Sequence, residues 1–401
     1  MNAYTAPSTL SPLHRLWRKL PAEPRRRLLA RATAMLAPRP DRPAPLVRGG
    51  IAVVGELSRP SGLGEAARQM RAAFDALGVP NWGIDTETGS VPDLPDGAAL
   101  LVHVNPPVLP LALLRLPRRL LRGRRVIGYW AWELPRLPAT WRVGPGFVHE
   151  VWALSRFTAD AIATILPPGL PLRVVPIPLT PPRPAALGRA DFALPDGAVV
   201  VLASFSLASS MVRKNPLGAI AAFRAAFGDR PDRLLVLKVG HPGDFPEDFA
   251  AIQAAIAGAA NIRLETRTFP AAESHALTAC ADIVLSLHRA EGFGLVPAEA
   301  MLLGIPVVAT GWSGNMDFMD AGSAALVPFT LVPARDPRGV FEADGAEWAE
   351  PDTQAAATQL RRLADDPAYR AALGKRGQAM AGARLGLGPV RDALAGIGLA
   401  A

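Results

Sequence analysis

Short apolar runs alternate with longer helical stretches along nearly the whole chain, and this pattern restricts the fold more than any other feature. Residues 51–55, 99–104, 126–130, 151–154 and 173–177 form one series of strand-like runs. Residues 199–204, 234–239, 262–264, 283–287, 307–310 and 324–327 form a second. Between them, apolar residues recur at three- and four-residue spacing, as in the segment from Gly64 through Ala66, Ala67, Met70, Ala73, Phe74 and Leu77. Helical patterns also cover 216–227, 249–257, 273–279, 298–303 and 353–381. Such alternation predicts parallel sheets covered by helices on both faces. Pro176, Pro178, Pro181, Pro182 and Pro184 interrupt the series, and proline at that density suits neither helix nor central strand. The pattern therefore predicts two doubly wound α/β domains joined there, with ligands expected in a central cleft beyond the carboxyl ends of the strands.

A length of 401 residues fits two domains better than one. The single cysteine, Cys280, allows no internal disulfide framework and reads as core packing. No apolar run reaches membrane-spanning length, and no signal-peptide pattern opens the chain. The expectation is a cytoplasmic protein. Residues 1–50 hold ten Lys/Arg against two acids, which accounts for the whole net charge of +8. The remainder is neutral, which argues against a nucleic-acid groove. The basic arm interleaves Leu13, Leu16, Trp17, Leu20, Leu28, Leu29 and Met35 with its cations. It reads either as a solvated helix packed on the body or, through residues 11–37, as a peripheral contact with an anionic membrane surface at the inner face.

Chemistry concentrates at Glu291-Gly-Phe-Gly-Leu-Val-Pro-Ala-Glu299, between a strand and a helix. Two carboxylates bracket a glycine loop at a junction that aims backbone N–H groups and a helix dipole at one spot. Arg213-Lys214-Asn215-Pro216 follows another strand and opens another helix, where two cations can clamp a diphosphate. Ser58-Arg-Pro-Ser-Gly-Leu-Gly-Glu65 follows the first strand; as a glycine loop it reads equally well as a turn or as a ligand contact. Gly128-Tyr-Trp-Ala-Trp-Glu-Leu134 brings Trp130 and Glu133 to a strand end, a composition that suits a sugar. His103 and His288 also lie at strand ends, and each reads as either structural or functional. No zinc-ligand spacing, Walker-type phosphate loop or serine-hydrolase elbow occurs.

The run from Ser286 to Met301, with Gly304-Ile-Pro-Val-Val-Ala-Thr-Gly311 after it, resembles the Glu-x7-Glu region of the family 4 glycosyltransferases. Val151-Trp-Ala-Leu-Ser-Arg-Phe157 and Val174-Val-Pro-Ile-Pro178 resemble the end of that family's N-terminal domain, and the resemblance covers roughly residues 51–375. It implies a GT-B fold of two Rossmann-like domains: an acceptor domain over 51–180 and a nucleotide-sugar domain over 181–375, with a basic arm at 1–50 and a helical tail at 376–401. It implies a retaining hexosyl-type transferase that moves a sugar from a nucleotide-diphosphate sugar to a glycan or glycolipid in surface polysaccharide synthesis, without a metal or other cofactor. By resemblance Glu299 holds the ribose. Glu291 and the backbone of Gly292, Phe293 and Gly294, with Leu295 and His288, hold the donor. Arg213 and Lys214 neutralise the diphosphate, and Gly64 approaches it from across the cleft. His103 or Glu133 lies at the reacting centre, with Trp130 and Asn315 as further candidates. The adjacency of Arg213 and Lys214 departs from the family's wider spacing and leaves open which of the two meets phosphate. A nucleotide-sugar-binding protein without catalysis and a sugar-nucleotide epimerase remain as alternatives.

Overall fold

The computed structural model describes residues 22–59, 61–341 and 343–399, with the side chains of residues 22–27 outside that set. The first unit opens with helix α1 (Ala22–Leu36). It continues as β1 (Ile51–Gly55), α2 (Gly62–Ala76), β2 (Asn81–Asp85), β3 (Ala99–Val102), α3 (Leu109–Arg115), β4 (Val126–Trp130), β5 (Glu150–Ala153), α4 (Arg156–Ala163) and β6 (Leu172–Val174). Its strands form one six-stranded sheet in the order β2-β1-β3-β4-β5-β6, parallel at every pairing. β1, β3, β4 and β5 are buried along their full length, as aliphatic runs between two helical layers must be.

The second unit runs β7 (Val199–Ser206), α5 (Met211–Lys214), α6 (Pro216–Phe227), β8 (Arg233–Gly240), α7 (Pro246–Ile256), β9 (Ile262–Glu265), α8 (Ala271–Ala279), β10 (Ile283–Ser286), α9 (Leu295–Leu302), β11 (Val307–Thr310) and β12 (Ala325–Val327). The second sheet is also parallel throughout, in the order β12-β11-β10-β7-β8-β9. A two-stranded antiparallel hairpin, β13 (Phe329–Pro333) and β14 (Glu347–Pro351), stands apart from both sheets. Helices α10 (Thr353–Asp365), α11 (Pro367–Arg384) and α12 (Gly388–Gly396) close the chain.

Strands β2, β13 and β14 escape the sequence pattern, the first two because they lack a buried apolar run. β2 is an edge strand in which Ile84 alone is fully buried, so Asn81-Trp-Gly-Ile-Asp85 shows no apolar run. β13 is mostly exposed and pairs only with β14. Helix α9 starts at Leu295, three residues ahead of the position expected from apolar spacing. Gly294 at φ 97° turns the chain into the helix, and Pro297 is tolerated in its first turn.

The helix α11 runs through position 375 without a break, and α12 returns to the first unit. Leu179 N–H donates to Leu385 O at 2.8 Å, and Val390, Leu394 and Ile397 share one apolar cluster with Val175 and Ile177. Of the basic arm, residues 1–21 lie outside the described residues. Helix α1 packs beside α3 through the buried Thr33 and Ala37, while Leu28, Leu29, Met35 and Leu36 face outward. Among the described residues no helix is long and apolar enough to cross a membrane.

Candidate functional site

The loops beyond the carboxyl ends of β4 and β5 meet those beyond β7, β10 and β11. Glu291 follows β10 and is buried. Lys214 Nζ forms an ion pair with Glu291 Oε1, and the Arg213 guanidinium lies 3.3 Å from Glu291 Oε2. Across the boundary between the units, Glu133 Oε1 is 3.8 Å from Arg213. One cluster thus holds two cations and two carboxylates. Burial raises the Glu291 carboxyl, but Lys214 and then Arg213 outweigh it and hold the group at about 2. Glu133 goes the other way: burial pushes its carboxyl up, Arg213 pulls it down and Glu291 adds to the rise. Burial also lowers Lys214, against the pull of Glu291.

Adjacent positions place Arg213 and Lys214 differently. The Arg213 side chain is 4% exposed and donates to Ala290 O at 2.7 Å and Ser209 O at 3.2 Å. The Lys214 side chain is 20% exposed, which makes it the less buried of the two cations. The short helix α5 that carries both is entered through Ser210, whose φ is 71° and whose hydroxyl accepts from Arg213 N–H at 3.4 Å. Asn215 (φ 53°) ends α5 and caps α6 through Gly218 N–H. Of the five non-glycine residues with positive φ among the described residues, Ser210, Asn215 and Ser313 all border this cluster. Strain of this kind persists only where surrounding contacts enforce it.

The glycine loop is fixed from both units. Gly292 O accepts from Ser155 Oγ at 2.6 Å, while Thr158 Oγ1 donates to Trp132 O at 2.8 Å. A Cβ on Gly292 would sit 2.8 Å from Trp132 O, so close backbone packing between the units requires glycine there. Gly314 is closer still, since its Cβ would meet Gly292 O at 2.2 Å. Ser313 Oγ accepts from Glu291 N–H at 2.9 Å. Phe293 is buried against Phe318. Gly294 stands at the N-cap of α9 with no side chain capping that terminus, and Leu295 begins the helix. The end of the helix dipole therefore points at the loop unshielded.

His288 and Asn315 support this loop from behind. His288 Nδ1 is 3.0 Å from Ser286 Oγ, and Nε2 is 3.0 Å from Asn315 Oδ1. Asn315 Nδ2 donates to Thr310 O at 3.1 Å. Both ring nitrogens of His288 are engaged and burial lowers its pKa, which leaves the ring a structural part rather than the donor contact expected. Glu299, on α9, lies 3.6 Å from His275 Nε2, a partner the sequence did not reveal. The neighbouring Glu299 carboxylate raises the His275 pKa, and Glu65 across the cleft adds to the rise.

Three first-unit candidates change their standing. Gly64 N–H donates to Ser61 Oγ at 3.0 Å, and a Cβ on Gly64 would lie 2.4 Å from Arg59 O. Its glycine character serves the turn, while a Cβ on the neighbouring Gly62 would lie 3.9 Å from Leu295 of the second unit. Trp130 is fully buried, edge-on to Trp141 at 6.3 Å, and so belongs to the core rather than to a sugar-stacking wall. His103 is buried at the end of β3. Its Nδ1–H donates to Tyr129 O at 2.7 Å, its Nε2 has no partner, and burial lowers its pKa to about 4.

Similar proteins agree with this architecture. The structure of Anabaena Alr3699/HepE in complex with UDP and glucose matches at a TM-score of 0.61 and 14% identity, covering 87% of this chain and 99% of that one. A glycosyltransferase from Rickettsia africae ESF-5 matches at 0.62 and 11% identity, covering 87% and 98%. Both belong to the two-domain GT-B fold seen here. In sequence, a D-inositol 3-phosphate glycosyltransferase from Nocardioides sp. is 29% identical over 198 residues, which span 47% of this chain and 39% of that relative. Residues 141–380 match the family described as "Family 4 Glycosyltransferase in conflict systems". That match takes in the glycine loop, the cation pair and both signature carboxylates, and the chain belongs to the family 4 glycosyltransferases.

Proposed function

We propose that this chain moves a hexose, with retention at the anomeric carbon, from a nucleotide-diphosphate sugar to a glycan or glycolipid acceptor of the cell surface. The observation that carries the reading is the convergence of Lys214, Arg213 and Glu291 before the uncapped N-terminus of α9. The bond between the anomeric carbon and the diphosphate oxygen breaks, and its electron pair leaves with the diphosphate. Charge therefore develops where Lys214 and the α9 amides lie, and fixed positive groups stabilise it there. In the free site Glu291 is the counter-ion of both cations. In the donor complex it accepts sugar hydroxyls while the diphosphate takes over Lys214. Glu299, backed by His275, accepts from the ribose. The acceptor oxygen bonds to the anomeric carbon, and its proton passes to the leaving diphosphate or to Glu133.

Structural relatives hold UDP with glucose or with GlcNAc, which supports UDP-hexoses as the first donors to test. The family's description from conflict systems favours a second class of acceptor, a macromolecule belonging to such a system. Turnover with a panel of UDP- and GDP-sugars, with lipid-linked and protein acceptors, separates the two. Lys214→Ala should lower kcat by about 10²–10³-fold, the range for removing one group that stabilises transition-state charge. Glu299→Ala should weaken donor binding by roughly tenfold to a hundredfold, or about 1.4–2.7 kcal/mol. Near-wild-type kinetics for both would reject the assignment, and tight donor binding with no turnover would favour a binding protein.

A further inference from the structure

The strap between β13 and β14 crosses from the second unit to the first and ends on the cation cluster. Asp336, 1% exposed, organises it. Its carboxylate accepts from Val340 N–H at 2.9 Å, Phe341 N–H at 3.2 Å and Ser210 Oγ at 3.2 Å. Ser210 is the strained cap of the helix that carries Arg213. Arg338 fastens the strap's other side, pairing with Asp248, donating to Leu207 O at 2.6 Å and covering the Phe245 ring at 3.8 Å. The turn so fixed delivers Phe341 into the boundary, 6% exposed. There its ring lies 5.0 Å from the Arg213 guanidinium carbon and 5.6 Å from the Trp132 ring. Trp132 immediately precedes Glu133, so one ring touches the cation of the second unit and the segment that carries the carboxylate of the first.

We infer that Phe341 is a positioning residue for Arg213, holding the guanidinium plane so that it spans Glu133 and Glu291 across the cleft. The inference rests on reading this cluster as the sugar-transfer centre. An arginine face covered by an aromatic ring is attracted to the ring's negative face and kept from water. Two backbone carbonyls fix one edge of the guanidinium, and the ring fixes its plane. Without the ring, water reaches the face and the interaction with both carboxylates weakens. The strap also explains why Ser210 keeps a positive φ: the same hydroxyl answers Asp336 and the α5 amide.

The test is a double-mutant cycle on the full chain with whichever UDP-hexose the wild type turns over. Phe341→Leu should lower kcat by about tenfold or more, while KM for the donor stays within about threefold, as expected for an interaction felt in the transition state. Phe341→Tyr keeps the ring and should retain most of kcat. In an Arg213→Lys background, Phe341→Leu should add nothing further, since the effect runs through the guanidinium. Val340→Ser, on the exposed side of the same strap, serves as the control and should match wild type. Thermal unfolding of each variant separates loss of fold from loss of positioning. Equal losses for Leu and Tyr, multiplicative losses in the cycle, or a Phe341→Leu kcat within about twofold of wild type would overturn the inference. A wild-type chain without turnover on any nucleotide sugar would instead overturn the reading of the site on which it rests.

Discussion

At the residue scale, Glu133 and Glu291 show how place overrides type. Glu291 is buried and Glu133 half-buried near the same two cations, yet Glu133 is pushed up and Glu291 held at about 2. The difference is contact: Glu291 touches Lys214 and Arg213, whereas Glu133 meets Arg213 alone, at 3.8 Å. The two should therefore affect stability in opposite senses. Glu291 titrates below its ordinary 4.5, so its stabilisation is present above that pH and is lost as pH falls toward 2. Glu291→Gln should lower stability at neutral pH by up to roughly 3 kcal/mol, with the gap closing in acid. Glu133 titrates above its ordinary value, so its ionised form opposes folding once pH rises through the raised pKa. Glu133→Gln should match or exceed wild-type stability at neutral pH while turnover falls. Urea unfolding from pH 2 to 8 measures both, and parallel curves for the two variants would refute the electrostatic account. The sequence made Glu291, Lys214 and Arg213 legible because charged residues just past a strand, at a glycine loop or at the start of a helix, seldom serve packing. Phe341 and Asp336 were illegible because nothing local distinguishes them from other loop residues.

At the element scale, apolar periodicity located the central strands and most of the longer helices but not α3, α4 or β14, and it failed in particular where a strand lacks a second buried face. β2 and β13 are the cases in point. Helix α1 poses the reverse problem, since its apolar residues are present but turned outward. Leu28 is 54% exposed, Met35 82% and Leu36 63%, with Leu46 beyond them at 73%. Arg118 reaches Leu36 O at 3.5 Å, and the exposed Arg115, Arg119 and Arg122 extend the positive charge of the arm along the neighbouring segment. We propose that this basic, apolar face lies on an anionic membrane surface. Flotation with vesicles of phosphatidylglycerol should capture the full chain, and capture should fall steeply with added salt. Met35→Glu with Leu36→Glu should abolish capture while leaving donor turnover unchanged. Equal capture by neutral vesicles, or no loss in the double variant, would rule the surface out.

At the scale of the whole molecule, the two units meet through shared apolar packing, the Glu133–Arg213 pair, backbone contacts at glycines and a small set of hydroxyls. Ser155 joins the units most directly, through a buried 2.6 Å hydrogen bond to Gly292 O. Ser155→Ala should destabilise the fold by about 1–3 kcal/mol, because a buried carbonyl loses its donor and α4 loses its cap. Hydrogen exchange at residues 291–295 should speed up more than exchange within either sheet. Uniform acceleration across the molecule would show that Ser155 supports the fold generally rather than this junction. The sequence by itself determined two parallel α/β units, and it named the cation pair and the two signature carboxylates as candidates. It could do so because buried strands, helix starts and charged strand ends leave local patterns. Only the tertiary structure decided that Trp130 is core, that Gly64 serves its own turn, that Lys214 is less buried than Arg213, and that His275 and Phe341 stand beside the site. Apart from the Gly64 turn, which is local, each of these depends on contacts between segments far apart in the chain, and no local spacing of residues encodes such contacts.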